Sequence, residues 1–254
     1  MDVNKNSYTF IFASTMVIIV AALLSSTAIG LKPFQDSNIE LEKKQNILSS
    51  VRINIDRNEA DEKYDKFIKK ELVLNNLGEQ IEGSAFDIEL NKEIKKDPKD
   101  QSLPLFISEI DGELKYIIPL RGKGLWGPIW GFIALEEDLN RVYGAVFDHK
   151  SETPGLGAEI NRPFFEDPFI GKKIFERDEF ISIKVVKGGA KEGDMHAVDG
   201  ISGGTITSDG VSDMLYERLN MYLPYFKSQL PDIEVDSIFS EIEASTTLID
   251  SIIN

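Results

Sequence analysis

The chain has no cysteine and only two histidines, His149 and His196, among its 254 residues. Without thiols there is no disulfide scaffold, no Cys-ligated zinc or iron–sulfur centre and no Cys nucleophile. Two imidazoles leave little for a histidine metal site. Basic residues are scarce as well: 28 Lys+Arg stand against 43 Asp+Glu, a formal net charge of −15. That balance disfavours a nucleic-acid binder, which needs a basic face against phosphates. No strand is read as running into G-x-G-x-x-G, and no G-x-x-x-x-G-K-[ST] occurs, so neither a Rossmann site nor a P-loop is supported. What remains, at 42% hydrophobic and 28% charged, is a globular composition.

One long apolar run stands out. From Asn6 to Leu31 no residue is charged, and Tyr8 to Leu31 reads YTFIFASTMVIIVAALLSSTAIGL. At 1.5 Å per residue that helix is about 36 Å long, enough to cross a hydrocarbon core of roughly 30 Å. The segment before it carries Asp2 and Lys5, a weak basic start for a cleaved signal peptide. The run is therefore read as an uncleaved anchor in contact with membrane lipid. Lys32, Lys43 and Lys44 follow it closely, and the positive-inside rule taken alone leans toward a cytoplasmic C-terminal part.

The remainder reads as α+β: a single N-terminal transmembrane helix, then a soluble domain with a mostly antiparallel sheet and flanking helices. The division is 1–7 before the anchor, 8–31 the anchor, 32–103 a helical and loop connecting region, 104–227 the main domain and 228–254 an amphipathic tail. Helices are expected over 38–50 and over 59–77. The second is capped by Asn58, carries Ala60, Tyr64, Phe67, Ile68 and Leu72 as its apolar stripe, and stops at Gly78. Residues 83–103 read as a polar, solvated loop. Leu105–Ile110 and Glu113–Leu120 flank Asp111-Gly112, a type I′ hairpin signal. Ile129–Leu135 and Arg141–Asp148 form a second hairpin, Phe180–Val186 a further strand and Val211–Phe226 a helix.

Three Gly-rich segments could carry chemistry. Asp199-Gly-Ile-Ser202-Gly203-Gly204-Thr205-Ile-Thr207-Ser208 places glycines and hydroxyls before a helix. Its free N–H groups and positive dipole end favour an anion, most simply a phosphate, with Thr207 or Ser208 as N-cap. An ordinary capped turn would have the same spacing. The match of Gly200 to Gly204 with G-x-S-x-G suggests a serine nucleophile, but both histidines precede Ser202 and Met195 to Asp199 make a poor buried strand, the wrong setting for that elbow. The second segment, Glu152-Thr153-Pro154-Gly155-Leu156-Gly157, carries a type II turn signal and one leucine that could lie flat on a planar ring. The third, Gly122 to Gly131, holds Trp126 and Trp130; Trp130 reads as core and Trp126 stays open between core and ligand.

Taken in order, GKGLWGPIWGFIALE, ETPGLGAEI, GKKIF, IKVVKGGA and DGISGGTITSDGV resemble the C-type subunits of the Na⁺-translocating NADH:quinone oxidoreductase over about residues 104–226. The G-type subunits of the RNF electron-transfer complex are related. The resemblance implies an FMN-binding domain, with FMN joined by a phosphoester to the last threonine of D-x-x-[S/T]-G-A-T. Asp199, Ser202, Gly203 and Thr205 match that pattern, and Gly204 departs from it, standing where alanine is usual. Thr205 is thus the expected attachment point, loaded by a separate flavin transferase that uses FAD. Ser202, Gly203, Gly204 and Thr207 lie beside it, Thr153, Pro154, Gly155, Leu156 and Trp126 border the ring, and Lys187 reaches the phosphate or the electron-rich ring edge. His196, nine residues before Thr205, reads as a surface histidine. No residue is implied as catalytic and no metal site is implied. The implied role is an electron carrier in a sodium pump, one part of a translocase and oxidoreductase and inactive alone. It would stand beside A-, B-, D-, E- and F-type subunits and touch quinone only indirectly. The resemblance places the flavin domain on the periplasmic side of the bacterial inner membrane, against the charge reading. Two rivals are an RNF G-type subunit and a membrane-anchored anion-binding domain without redox function.

Overall fold

The structure, a computed structural model, describes residues 6–229. Helix α1 runs without a break from Asn6 to Ser50. The anchor and the helix expected over 38–50 are therefore one element, with Pro33 inside it. Its apolar run is exposed, whereas Ile47 and Leu48 in its last turn are fully buried.

Helix α2 (Ala60–Phe67) follows, and the chain then turns into strand β1 (Ile68–Leu74). The single long helix expected over 59–77 is thus overturned. Ala60 and Tyr64 do form a helical stripe, but Leu72, Val73 and Leu74 pair with Leu105, Pro104 and Leu103 of the next long strand. Local helical spacing lost to a long-range ladder, which a single-segment pattern does not contain. Gly78 sits with φ +78 in the tight turn to β2 (Gln80–Ile81). Residues 83–103 are mostly exposed, Lys95 to Asp100 throughout, with Ala85, Glu93, Gln101 and Leu103 buried. They hold the single turn α3 (Leu90–Glu93), and Glu93 accepts from Lys96 Nζ and Ser102 N–H. Those bonds and the Lys96 charge hold its carboxyl below the usual range, against the opposing effect of burial.

Strands β3 (Leu103–Ile110), β4 (Glu113–Lys123), β5 (Pro128–Leu135) and β6 (Val142–His149) complete a six-stranded antiparallel sheet in the order β2-β1-β3-β4-β5-β6. The β3–β4 turn is the I′ turn its sequence implies: Asp111 and Gly112 have φ 53 and 85, and Ile110 faces Glu113. The one-turn helix α4 (Pro163–Glu166) and hairpin β7 (Phe175–Glu176)–β8 (Glu179–Phe180) lead to β9 (Lys184–Val186). The expected strand over 180–186 is therefore split, because Ser182 turns the chain with φ 65. β9 pairs in parallel with β10 (Ala197–Asp199). Ala197 and Val198 are buried, so this stretch is a strand after all. Helix α5 (Thr205–Gln229) closes the domain and begins six residues earlier than its apolar spacing indicated. The tail from residue 230 lies outside the described residues.

Both faces of the sheet are covered, which explains why the central strands are almost continuously buried rather than alternating. Leu105, Ile118, Leu120 and Ile133 point to the side of Val211, Leu215, Leu219 and Phe226 on α5. Phe106, Ile117, Phe132 and Ala134 point to Ile47 and Leu48 of α1. Trp130 is not core, contrary to expectation. It is half-buried on the α1 side, with the Arg121 guanidinium 5.9 Å from its ring.

Candidate functional site: three loops at the N-terminus of α5

Thr205 is the first residue of α5 and is half-buried. Gly204 precedes it and accepts the Ser208 N–H at 2.9 Å. The amides of Thr205, Ile206 and Thr207 are those a helix start leaves without an intrahelical acceptor. No acidic side chain lies in this first turn, so the positive end of the dipole is left for an external anion. Neither expected N-cap acts as one, because the helix starts ahead of both. Ser208 Oγ accepts the Ile201 N–H at 3.2 Å instead. Thr207 turns inward and donates to Glu152 Oε2 at 2.7 Å.

The turn before the helix is built by Gly203, whose φ is +76, with Gly204 N–H on the Ile201 carbonyl at 2.9 Å. A Cβ on Gly203 would lie 2.6 Å from Leu156 Cδ2. The turn is thus packed against the second loop, where Thr153 to Leu156 forms the turn its Pro-Gly pair implied. The Leu156 N–H donates to the Thr153 carbonyl at 3.1 Å, and Gly155 has φ +76. The third loop, between β4 and β5, touches the same helix: a Cβ on Gly210 would lie 3.6 Å from Gly124 Cα. Contrary to expectation, β4 does run into a G-x-G-x-x-G, Gly122 to Gly127. It joins two antiparallel strands and opens no helix, so it is not a dinucleotide fingerprint.

Glu152 joins all three loops, and the sequence alone does not single it out. Its side chain is buried, its Oε1 accepts the Trp126 N–H at 2.8 Å and its Oε2 accepts the Thr207 hydroxyl. Its own N–H donates to His149 Nδ1 at 3.2 Å. Gly157 lies so close that an added Cβ would meet Glu152 Oε2 at 2.6 Å. A lone Glu at a strand end looks like a solvated residue in sequence. Only the approach of segments 26 and 55 residues away reveals its role.

Around Thr205 the surface is apolar and open: Trp126, Leu125, Leu156 and Ile206 are all exposed. Ser202, Thr153 and Pro154 are exposed too. Lys187 lies at the end of β9 with its side chain exposed, and its backbone N is 3.5 Å from where a Cβ on Gly200 would stand. His196 Nδ1 is 2.7 Å from the Lys173 carbonyl and His149 Nδ1 is taken by the Glu152 N–H. Neither of these ring contacts involves Ser202, which leaves a triad without support. Among the described residues no group of carboxylates and imidazoles could hold a metal ion.

Backbone donors at a helix start, a glycine turn that admits close approach and an apolar rim could hold a phosphate joined to a flat apolar body. The fold is an α+β domain behind a helix long and apolar enough to cross a membrane, and residues 124–220 match the FMN-binding domain family. The C-type subunit of the Na⁺-translocating NADH-quinone reductase of Vibrio alginolyticus is 34% identical over 212 residues, 76% of this chain and 82% of that one. The crystal structure of the same subunit from Parabacteroides distasonis is 46% identical with a TM-score of 0.74, covering 79% of this chain and 98% of that one. NqrC of Shewanella oneidensis is 28% identical with a TM-score of 0.66, covering 75% and 97%. The chain belongs to the NqrC family, the C-type subunits of the Na⁺-translocating NADH-quinone reductase.

Proposed function

We propose that this chain is the electron-carrying NqrC component of a sodium-pumping NADH:quinone oxidoreductase, with FMN held covalently through a phosphoester on Thr205. The observation that carries the reading is the position of Thr205: the first residue of α5, beside unclaimed amides, at the meeting point of three loops. On attachment Thr205 gives up its hydroxyl proton and gains the phosphoryl group of FMN, with AMP leaving when FAD is the donor. Bound FMN supplies the redox chemistry, accepting and releasing electrons on its ring. The amides of residues 205–207 hold the phosphate charge, while Gly203 and Gly204 let the backbone approach. Leu156 and Trp126 offer apolar contact to the ring, and Thr153, Pro154, Gly155 and Ser202 border it. Lys187 supplies a cation on the neighbouring β9–β10 turn. Electrons pass from this chain to its neighbours in the complex and reach quinone only through them. The anchor and the family support membrane attachment, and by the family's pattern the domain stands on the periplasmic side of the inner membrane.

Intact mass and in-gel fluorescence of protein made with the flavin transferase test the reading. Wild type is expected to carry one FMN adduct, Thr205→Val none, and Thr207→Val an adduct still at residue 205. An unmodified wild-type chain, or an adduct mapping elsewhere, overturns the assignment. Retained turnover in the Thr205→Val complex would favour a binding domain without redox function.

A further inference from the structure

Beyond the cofactor cradle, α5 borders a second surface feature. A groove of about 510 Å³ runs between its outer face and segment 181–186. One wall carries Asp209, Asp213 and Glu217, spaced four residues apart and therefore in a row along the helix. All three are exposed, and none forms an ion pair among the described residues. On the opposite wall Ile181 and Val186 are half-buried and give the apolar surface, Ile183 and Val185 are buried in the core beneath it, and the one cation is the exposed Lys184. Tyr216 stands at the rim, 52% exposed, its ring 5.4 Å from that of Phe180. Ser182 is 2% exposed, forms part of the groove, and its Oγ lacks a hydrogen-bond partner. A buried hydroxyl without a partner is uncommon and costs stability unless something satisfies it.

We infer that this groove is a docking surface for a cationic segment of a partner protein, one that sets lysine or arginine against the acidic row and apolar side chains against the far wall. Charge complementarity selects that occupant: three carboxylates face one ammonium, so an acidic segment or an anionic lipid surface is repelled. The position gives the contact a use. Asp209 lies one helical turn beyond Thr205 and Glu217 about 18 Å along the axis. A partner seated here is oriented next to the proposed cofactor, and opposed charges both steer its approach and fix its register. The inference leaves the chemistry at Thr205 untouched, and the cofactor content of each variant distinguishes failure of one from failure of the other.

The test is the charge-reversed pair Asp213→Lys/Glu217→Lys in the complete membrane complex, with Asp213→Asn/Glu217→Gln as the milder control. Both positions are exposed and lie two or more turns from Thr205, so flavin content per chain and melting are expected to stay at wild-type levels. The reversed pair is expected to lose at least tenfold in turnover at low salt, or to leave the complex on purification. The neutral pair falls between, and the gap between wild type and neutral pair narrows at high salt as the screening length shortens. Carbodiimide cross-linking of the wild-type complex is expected to join this row to lysines of another subunit. Wild-type turnover of the reversed pair at both salt concentrations, with normal stoichiometry, overturns the proposal. So do cross-links from this row only to a second copy of the chain.

Discussion

Removing the Glu152 carboxylate tests whether the cradle is held by one side chain. Glu152→Ala deletes the acceptor for the Trp126 N–H at 2.8 Å and for the Thr207 hydroxyl at 2.7 Å. Hydrogen bonds to a charged group contribute about 1.5–3 kcal/mol each. Thr207 is 1% exposed, so its hydroxyl has no water to turn to, whereas the Trp126 amide lies on an open loop and rehydrates in part. The net loss is therefore about 3 kcal/mol. At roughly 2–4 °C per kcal/mol for a domain of this size, melting falls by about 6–12 °C. Glu152→Gln keeps an acceptor for the amide and offers an N–H to the Thr207 oxygen, so it costs only about 1 kcal/mol. Differential scanning calorimetry with in-gel flavin fluorescence reads both. The alanine variant is expected to lose stability and FMN incorporation together, and the glutamine variant to keep most of each. If Glu152→Ala melts within about 2 °C of wild type and carries full flavin, the three loops are not tied through this carboxylate.

Other perturbations have definite signs. Gly157→Ala would drive a methyl into Thr207 Oγ1 and to 2.6 Å from Glu152 Oε2, an overpacking cost of about 1–3 kcal/mol; unchanged denaturant melting contradicts the packing. Gly204→Ala places its methyl 3.1 Å from Ile201 Cβ and 3.3 Å from Gly157 N, which a shift of a few tenths of an ångström relieves. Stability is expected to move by less than about 1 kcal/mol, since the stiffer unfolded chain offsets the crowding, with FMN still attached by intact mass. Burial pushes the Glu166 carboxyl up to about 7 from an ordinary 4.5, with Asp167 and Asp148 adding to the rise and the Phe147 N–H opposing it. Between those values the folded chain holds more protons than the unfolded one. Stability is therefore full below the lower value and falls by up to about 3 kcal/mol as pH rises through the upper one. Glu166→Gln is expected to flatten that slope in melting temperature against pH, and parallel curves refute the assignment.

What could be read in advance divides by range. The Asp111-Gly112 turn and the Thr153–Leu156 turn were legible because each is decided within four residues. So was the Gly203–Gly204 turn ahead of a helix, since glycines set the backbone locally. β1 was not legible, because its pairing with β3 lies about thirty residues away and its residues carry helical spacing of their own. The start of α5 was misplaced because Thr205 to Gly210 lack the leucine rhythm that marks the rest of the helix. Trp130 looked like core on size alone, yet the pleat sends it to the face where α1 leaves a groove. Glu152 was missed because its meaning lies wholly in two distant partners.

The two long helices divide the work of the domain between the faces of the sheet. α5 covers one face and presents Thr205 at its start. α1 covers the other and carries the apolar run into the domain as one helix. Its direction matters for the site. Asp36, only five residues past the end of the apolar run, shares a groove with Arg121, Pro128 and Lys150. The last turn of α1 reaches the other end of β6, where a Cβ on Gly144 would run into the Ser50 carbonyl. Arg121, Pro128 and Lys150 flank the very loops that build the cradle. The end of the sheet that carries Thr205 is therefore the end nearest the anchor. About 28 Å of helix, with Pro33 near its start, separates Leu31 from Ser50. The helix thus limits how far the Thr205 end of the sheet can stand from the apolar run, so the elements that flank Thr205 help decide where that end of the domain sits.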